Sequence, residues 1–286
     1  MRVAFLVPAP EYRLDWRWTY DPQARALEAI GIDVEPVPWT EAANAKGFDL
    51  ILPLIAWGYH EHYVRWLRLL DELDTIGAPI ANPVPLLRWN SDKSYLEELG
   101  AKGVPSVPSI TVSELDEPHL DEARAHFGCD TLVVKPLVSA SAHGTYMLSH
   151  RDPVPEDVRG WRMLVQPWIE AIGDSGEWSL MFFDGVFSHA VSKVPVRGEF
   201  RVQREFGGSI RICEPPEGAI ELASAALAAA PAPSTYARVD IVDGNGGRLE
   251  IIELELIEPA LFLDDAPGAA GRFAEAVRSA GLRLRK

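Results

Sequence analysis

Cysteine is nearly absent. Cys129 and Cys213 are the only two, and neither sits in a CxxC or near a suitably spaced histidine, which excludes a disulfide framework and a zinc site built on that spacing. Positive charge is also scarce. With 27 Lys and Arg against 42 Asp and Glu, the formal net charge is −15, and no nucleic-acid partner is expected where phosphate binding needs clustered cations. No apolar run approaches the ~18 residues of a membrane span, so no membrane partner is expected. The opening MRVAFLVPAPEYR is too short an apolar run for a secretory signal and reads as a first strand ending at Pro8, which makes a cytoplasmic location the expectation. No GxGxxG follows that strand, and no GKS or GKT marks a Walker A loop, so neither familiar Gly-rich phosphate fingerprint is present.

What is present is an ordinary globular balance, 47% hydrophobic and 24% charged over 286 residues, enough for one large domain or two to three small ones. Against it, the stretch Arg238 to Pro259, RVDIVDGNGGRLEIIELELIEP, places carboxylates where a buried strand normally has none. Two apolar runs flank Asp243-Gly244-Asn245-Gly246-Gly247, a turn sequence, so the segment reads as a β-hairpin. Alternation puts Glu253 and Glu255 on one face, with Ile252, Leu254 and Leu256 on the other, and Asp240 reaches across from the partner strand. Three converging acids repel unless a cation neutralises them, and an all-oxygen set suits Mg²⁺ or Mn²⁺. An edge hairpin with an acidic solvent face is the alternative that spacing alone leaves open.

Residues 1 to about 90 alternate strand and helix signals: RVAFLVP, PQARALEAIG, DVEPVPW, DLILPLIAW, HYVRWLRLLDELDTIG and APIANP. They predict an open α/β unit with parallel strands, Gly31 and Gly77 at helix C-caps and an apolar stripe through Leu67, Leu70 and Leu73. Six of the nine tryptophans fall in this third. The loop WGYHEHY after DLILPLIAW holds Tyr59, His60 and His62 at the carboxyl end of a strand, where open sheets bind ligands, so it is a candidate substrate loop. The same aromatic concentration also suits core packing or the surface of a homodimer.

From Asn90, NSDKSYLEELG predicts a helix with Asn90 and Ser91 as caps and Lys93 in its first turn, ending at Gly100 or Gly103. In TLVVKP, Lys135 interrupts an apolar run where an unpaired ammonium costs several kcal/mol, so it is expected to meet phosphate or carboxylate. SASAHGTYM follows, a small-residue loop whose N–H groups suit a phosphate nest. MLVQPWI runs into EAIGDSGEW, read as a polar linker between lobes, and SLMFFDGVFSHAVSKVPV as a hairpin turning at Asp184-Gly185. Arg197, Arg201, Arg204 and Arg211 in RGEFRVQREFGGSIRI form a local anion site in an acidic chain. PEGAIELASAALAAA and PGAAGRFAEAVRSAGL are the closing helices.

NSDK, VVKP, the small-residue loop, QPWIEAIGDSGEW, SKVPVRGEFRVQREFGGS and RVD…ELELIEP, in that order, resemble the ATP-grasp superfamily, most closely its glutathione synthetase and ribosomal-protein glutamate ligase branch. The resemblance covers roughly Asn90 to the C-terminus. It implies an N-terminal α/β domain over 1–89, a small ATP-grasp lobe over 90–170 and a large lobe over 171–286, an α/β (α+β) fold with antiparallel sheets.

By the same resemblance, Lys93 and Lys135 meet the phosphates of ATP. The loop with Ser139, Ser141, His143 and Gly144 closes over them, Gln166, Trp168 and Ile169 wall the adenine, and Glu177 binds ribose. Asp240, Glu253 and Glu255 hold two Mg²⁺ or Mn²⁺ ions, and Arg201 with Lys193 serves catalysis. Glu255 stands where the family commonly has Asn. The implied reaction is ligation of a small-molecule carboxylate to an amine through an acyl phosphate; a kinase and a non-catalytic nucleotide-binding module are the competing implications.

Overall fold

The computed structural model describes residues 1–44, 47–140, 142–196 and 207–284. The chain opens with β1 (Arg2–Val7), α1 (Arg17–Glu28), β2 (Asp33–Pro38), β3 (Leu50–Leu52), α2 (Tyr63–Thr75), α3 (Val84–Asn90) and α4 (Tyr95–Ala101). Strands β2, β1 and β3 pair in parallel in that order. The two faces of β1 serve different cores: Val3, Phe5 and Val7 pack with α1, while Ala4 and Leu6 pack with Trp66, Leu69, Leu70 and Leu73 of α2. The stripe on α2 therefore centres on Trp66 and Leu70, with Leu67 at its margin. Gly31 and Gly77 follow their helices at φ +77° and +62°, as expected of C-caps.

Two strands are shorter than predicted. Pro53 ends β3 after Leu52 because proline offers no N–H to the ladder, and APIANP contributes only a bridge between Ile51 and Ile80, being hemmed by Pro79 and Pro83.

Next come β4 (Ile110–Val112), α5 (Glu117–Phe127), β5 (Leu132–Pro136), β6 (Tyr146–Leu148) and β7 (Met163–Pro167), forming an antiparallel sheet in the order β4-β7-β5-β6 against α5. A short turn of helix, α6 (Ile172–Ser175), occupies the segment read as linker. It precedes β8 (Glu177–Phe183) and β9 (Val186–Val194), joined at Asp184 and Gly185 with φ +52° and +77°, the two left-handed positions of a tight hairpin. β10 (Ser209–Cys213), α7 (Ala219–Ala229), β11 (Tyr236–Asp243), β12 (Leu249–Glu255) and α8 (Ala269–Leu284) complete the chain. The second antiparallel sheet runs β10-β9-β8-β11-β12, with α4 and α7 packed on it. Helix α8 packs between that sheet and the N-terminal unit: Phe273 meets Phe183 of β8, and Phe273 and Val277 share a core with Phe5, Leu27 and Leu50.

Asn90 and Ser91 do not cap a helix start. Asn90 ends α3, and its side-chain amide donates to Leu254 O at 2.9 Å and accepts from Leu256 N at 2.8 Å, tying α3 to β12. Ser91 accepts from the Trp66 indole. Ser94 is the N-cap of α4, so Lys93 lies just before that helix and not in its first turn.

Candidate active site

The predicted hairpin forms, but with a bulge. Asp240 pairs with Glu253 whereas Ile241 pairs with Ile251, so Ile252 is the extra residue. The bulge inverts the expected placement of Ile252: it leaves the face of Leu254 and Leu256 and packs with Ile169, Ile172 and Val242. It does not disturb the acids. Asp240, Glu253 and Glu255 each bring a carboxylate oxygen within 4.8 Å of the others, an all-oxygen set that fits Mg²⁺.

These acids are not simply exposed to one another. Arg238, two positions before Asp240 and hence on the same face of β11, donates to Asp240 through Nε at 3.0 Å and Nη2 at 2.8 Å, and also bonds Glu255. Ser179 donates to Asp240 from β8. Lys193 on β9 reaches Glu177 at 2.8 Å and Asp240 at 3.5 Å, and Lys93 reaches Glu253 at 3.3 Å. Burial alone would raise the Asp240 carboxyl; Arg238 and Lys193 outweigh it and hold the group down. Burial, with Glu253 and Asp240 nearby, raises Glu255 despite Arg238. Burial lowers Lys193, but Asp240 and Glu177 more than restore it.

Lys135 on β5 is 9% exposed and, among the described residues, its side chain makes no hydrogen bond or ion pair. Desolvation pushes its ammonium down to about 8, with Lys93 adding to the fall and Glu253 opposing it. The small-residue loop begins beside it: Ser139 donates to Pro136 O, and Lys93 Nζ donates to Ser139 O at 2.7 Å. Gly144 sits at φ +68°, and a Cβ there would meet Pro136 Cγ at 2.8 Å, so only glycine fits this close approach to β5. His143 follows a turn in the same loop, and its ring lies 6.4 Å from that of His60.

Beyond the acids, Ile169 is buried with Val107, Ile172 and Val242, and Trp168 packs on the cluster. Asn245 in the turn of the acidic hairpin donates to Trp168 O at 2.7 Å and pins the start of the segment between β7 and β8. Gln166 is buried on β7 and donates to Ser109 at 2.9 Å. The predicted residues Lys93, Lys135, Ser139, His143, Lys193, Glu177, Asp240, Glu253 and Glu255 thus share one neighbourhood, with Trp168 and Ile169 at its margin. Ser141, Arg197, Arg201 and Arg204 lie outside the described residues. Arg211 is exposed on β10, the edge strand.

One member escaped the sequence reading. Arg238 was legible in principle, since its i,i+2 spacing from Asp240 puts it on the acid face.

Residues 3–82 match the family model for the D-cycloserine synthetase DcsG N-terminal domain. The chain is 30% identical over 276 residues to the cycloserine biosynthesis protein DcsG of Streptomyces lavendulae, covering 90% of this chain and 91% of that one. Among solved structures it resembles D-cycloserine synthetase DcsG (TM-score 0.83, 26% identity, 99% and 100% of the two chains). In fold it also resembles D-alanine–D-alanine ligase from Bacillus anthracis (TM-score 0.74, 18% identity, 100% and 98%). The acid hairpin, the buried lysines and this full-length similarity agree: the chain belongs to the ATP-grasp superfamily of carbon–nitrogen ligases, within the family of DcsG.

Proposed function

We propose that the chain activates the carboxylate of a small amino-acid-like substrate with MgATP and passes the acyl group to an amine, forming an amide and releasing ADP and phosphate. The observation that carries this reading is Lys135: a lysine 9% exposed whose side chain has no ion-pair partner among the described residues, set near three carboxylates that converge as a divalent cation would require. Burying an uncompensated charge costs several kcal/mol, and a polyphosphate bridging lysine and metal offsets it.

In this reading Lys93 and Lys135 hold the phosphates, the loop with Ser139, Ser141, His143 and Gly144 covers them, and Gln166, Trp168 and Ile169 wall the base. Asp240, Glu253 and Glu255 hold Mg²⁺, which neutralises charge developing on the transferred phosphoryl group. Glu177, already engaged by Lys193, offers its remaining acceptor capacity to the ribose. Arg201 and Lys193 are the catalytic cations: Lys193 fixes Asp240 and Glu177, and Arg201 meets the acyl oxygen and γ-phosphate. The substrate carboxylate attacks the γ-phosphate, ADP leaves, and the amine displaces phosphate, so no nucleophilic side chain is needed. The cycloserine chemistry named for the relatives supports a small amino-acid-derived substrate.

The test is a panel of amino acids and dipeptides assayed for ADP and phosphate release from ATP. Stoichiometric ADP and phosphate, dependent on both a carboxylate and an amine, are expected. AMP with pyrophosphate, or a stable phosphorylated hydroxyl product, would overturn the ligase reading.

A further inference from the structure

Asn245 uses its side chain in a way its position does not require. Asparagine in a tight turn ordinarily hydrogen-bonds backbone groups close by in the chain. Here the turn between β11 and β12 is closed by backbone alone, Gly244 N donating to Arg248 O at 2.8 Å and Gly247 N to Gly244 O at 3.0 Å. The Asn245 amide instead bonds the segment after β7, 77 and 75 residues away in sequence: Nδ2 donates to Trp168 O at 2.7 Å, and Oδ1 accepts from Glu170 N at 3.3 Å. One planar amide thus takes the carbonyl before Ile169 and the N–H after it, as a neighbouring strand would. Asn245 is exposed, so water competes for both bonds and they add little to the stability of the fold.

Around Ile169 the other peptide groups are committed. Trp168 N donates to Thr131 O, Ile169 O accepts from Ile172 N, and Glu170 O accepts from Gly173 N. The Ile169 N–H is the exception: in a residue 2% exposed, it makes no hydrogen bond among the described residues. The hairpin grips this segment a second time, since Val242 of β11 and the bulged Ile252 of β12 pack with Ile169 and Ile172. The same two strands carry Asp240 and Glu253 as a directly opposed pair. We propose that Asn245 is a positioning residue for the nucleotide: by tying Trp168 and Glu170 to the hairpin tip, it holds the wall of the base, with its uncommitted Ile169 N–H, in register with the acids that bind the metal. It acts on ligands that carry a base and not on the phosphates, whose partners are Lys93, Lys135 and the acids.

This proposal rests on the placement of the base against Gln166, Trp168 and Ile169 in the ligase reading, and it is tested by binding alone. MgADP and magnesium tripolyphosphate, which has no base or ribose, are titrated calorimetrically into wild type, Asn245→Ala and Gly246→Ala. Neither substitution strains the turn, because neither residue has a left-handed φ and a Cβ on Gly246 meets open space. Asn245→Ala should weaken MgADP by about tenfold and tripolyphosphate by no more than about twofold, with Gly246→Ala altering neither. An equal loss for both ligands, or the same loss in Gly246→Ala, overturns the proposal by reducing Asn245 to a turn residue. A wild type that binds tripolyphosphate as tightly as MgADP overturns it together with the placement of the base. A wild-type preference for MgADP that survives intact in Asn245→Ala sinks the positioning role alone and leaves that placement standing.

Discussion

At the scale of single residues, Lys135 decides most. Its ammonium is charged at a cost, and the sign of that cost is readable: the folded-state value of about 8 lies below the unfolded 10.5, so the unfolded chain binds more protons between the two. The penalty is fully present below pH 8, shrinks as pH rises, and is gone above about 10.5. Lys135→Met removes it while filling the same volume, so the ligand-free variant should melt higher than wild type at pH 7, by an amount on the order of 3 kcal/mol or less. Melts at pH 7 and pH 9.5 check this, with the gap narrowing at the higher pH. The same substitution should abolish or gravely weaken ATP binding, and a variant that both melts like wild type and binds ATP normally would place Lys135 outside the site. On the proposed reading Glu253→Gln should remove turnover, because Lys93 loses its ion-pair partner and the proposed metal a ligand. Glu255→Asn is milder: it removes a carboxylate that burial, with Glu253 and Asp240 nearby, already disfavours, so partial ATP turnover with weaker Mn²⁺ affinity in titration is the expected pair of results.

At the scale of elements, the acidic hairpin was legible because turn chemistry and alternation agree: glycine and asparagine at the turn, carboxylates every second residue. Its bulge at Ile252 was not, since nothing in a run of two isoleucines tells which one the partner strand skips. Helix α3 went unread because VPLLRWN carries no cap signal apart from its proline, and Asn90 looked like an N-cap when tertiary structure uses its amide to staple α3 onto β12. Asn90→Ala should therefore cost about 1–3 kcal/mol, since the Leu256 N–H loses its acceptor in a buried position, and chemical denaturation measures it. An exposed cap would cost about 1 kcal/mol or less in a melt that leaves the site unaffected. Here the loosened β12 carries Glu253 and Glu255, so weaker metal binding should accompany the lost stability.

At the scale of the whole molecule, the order of the chain hides how its parts are joined. Lobes read in sequence assign α8 to the C-terminal lobe alone, yet besides packing on β8 and β9 it reaches the N-terminal unit, where Phe273 and Val277 complete the core with β1 and β3. Amphipathic spacing reveals that a helix has a buried face but not which sheet receives it. The join is close: a Cβ on Gly281 would meet Met1 Sδ at 2.5 Å, so the last helix is fitted against the first residue. A second link is Asn82, fully buried at the end of the N-terminal unit, which donates to Tyr236 O and Leu256 O and accepts from Thr235 N. With hydrophobic core and polar staple both crossing the boundary, the N-terminal unit and the β8–β12 sheet should unfold together. Phe273→Ala tests this, since it empties a fully buried ring site facing Phe183 of β8 on one side and the N-terminal core on the other. A loss of about 3–5 kcal/mol is expected, expressed as one shifted transition in both tryptophan fluorescence and far-UV circular dichroism. Two separated transitions, with only one of them displaced, would show that the units are independently stable and that the shared core around Phe273 and the Asn82 staple do not couple them.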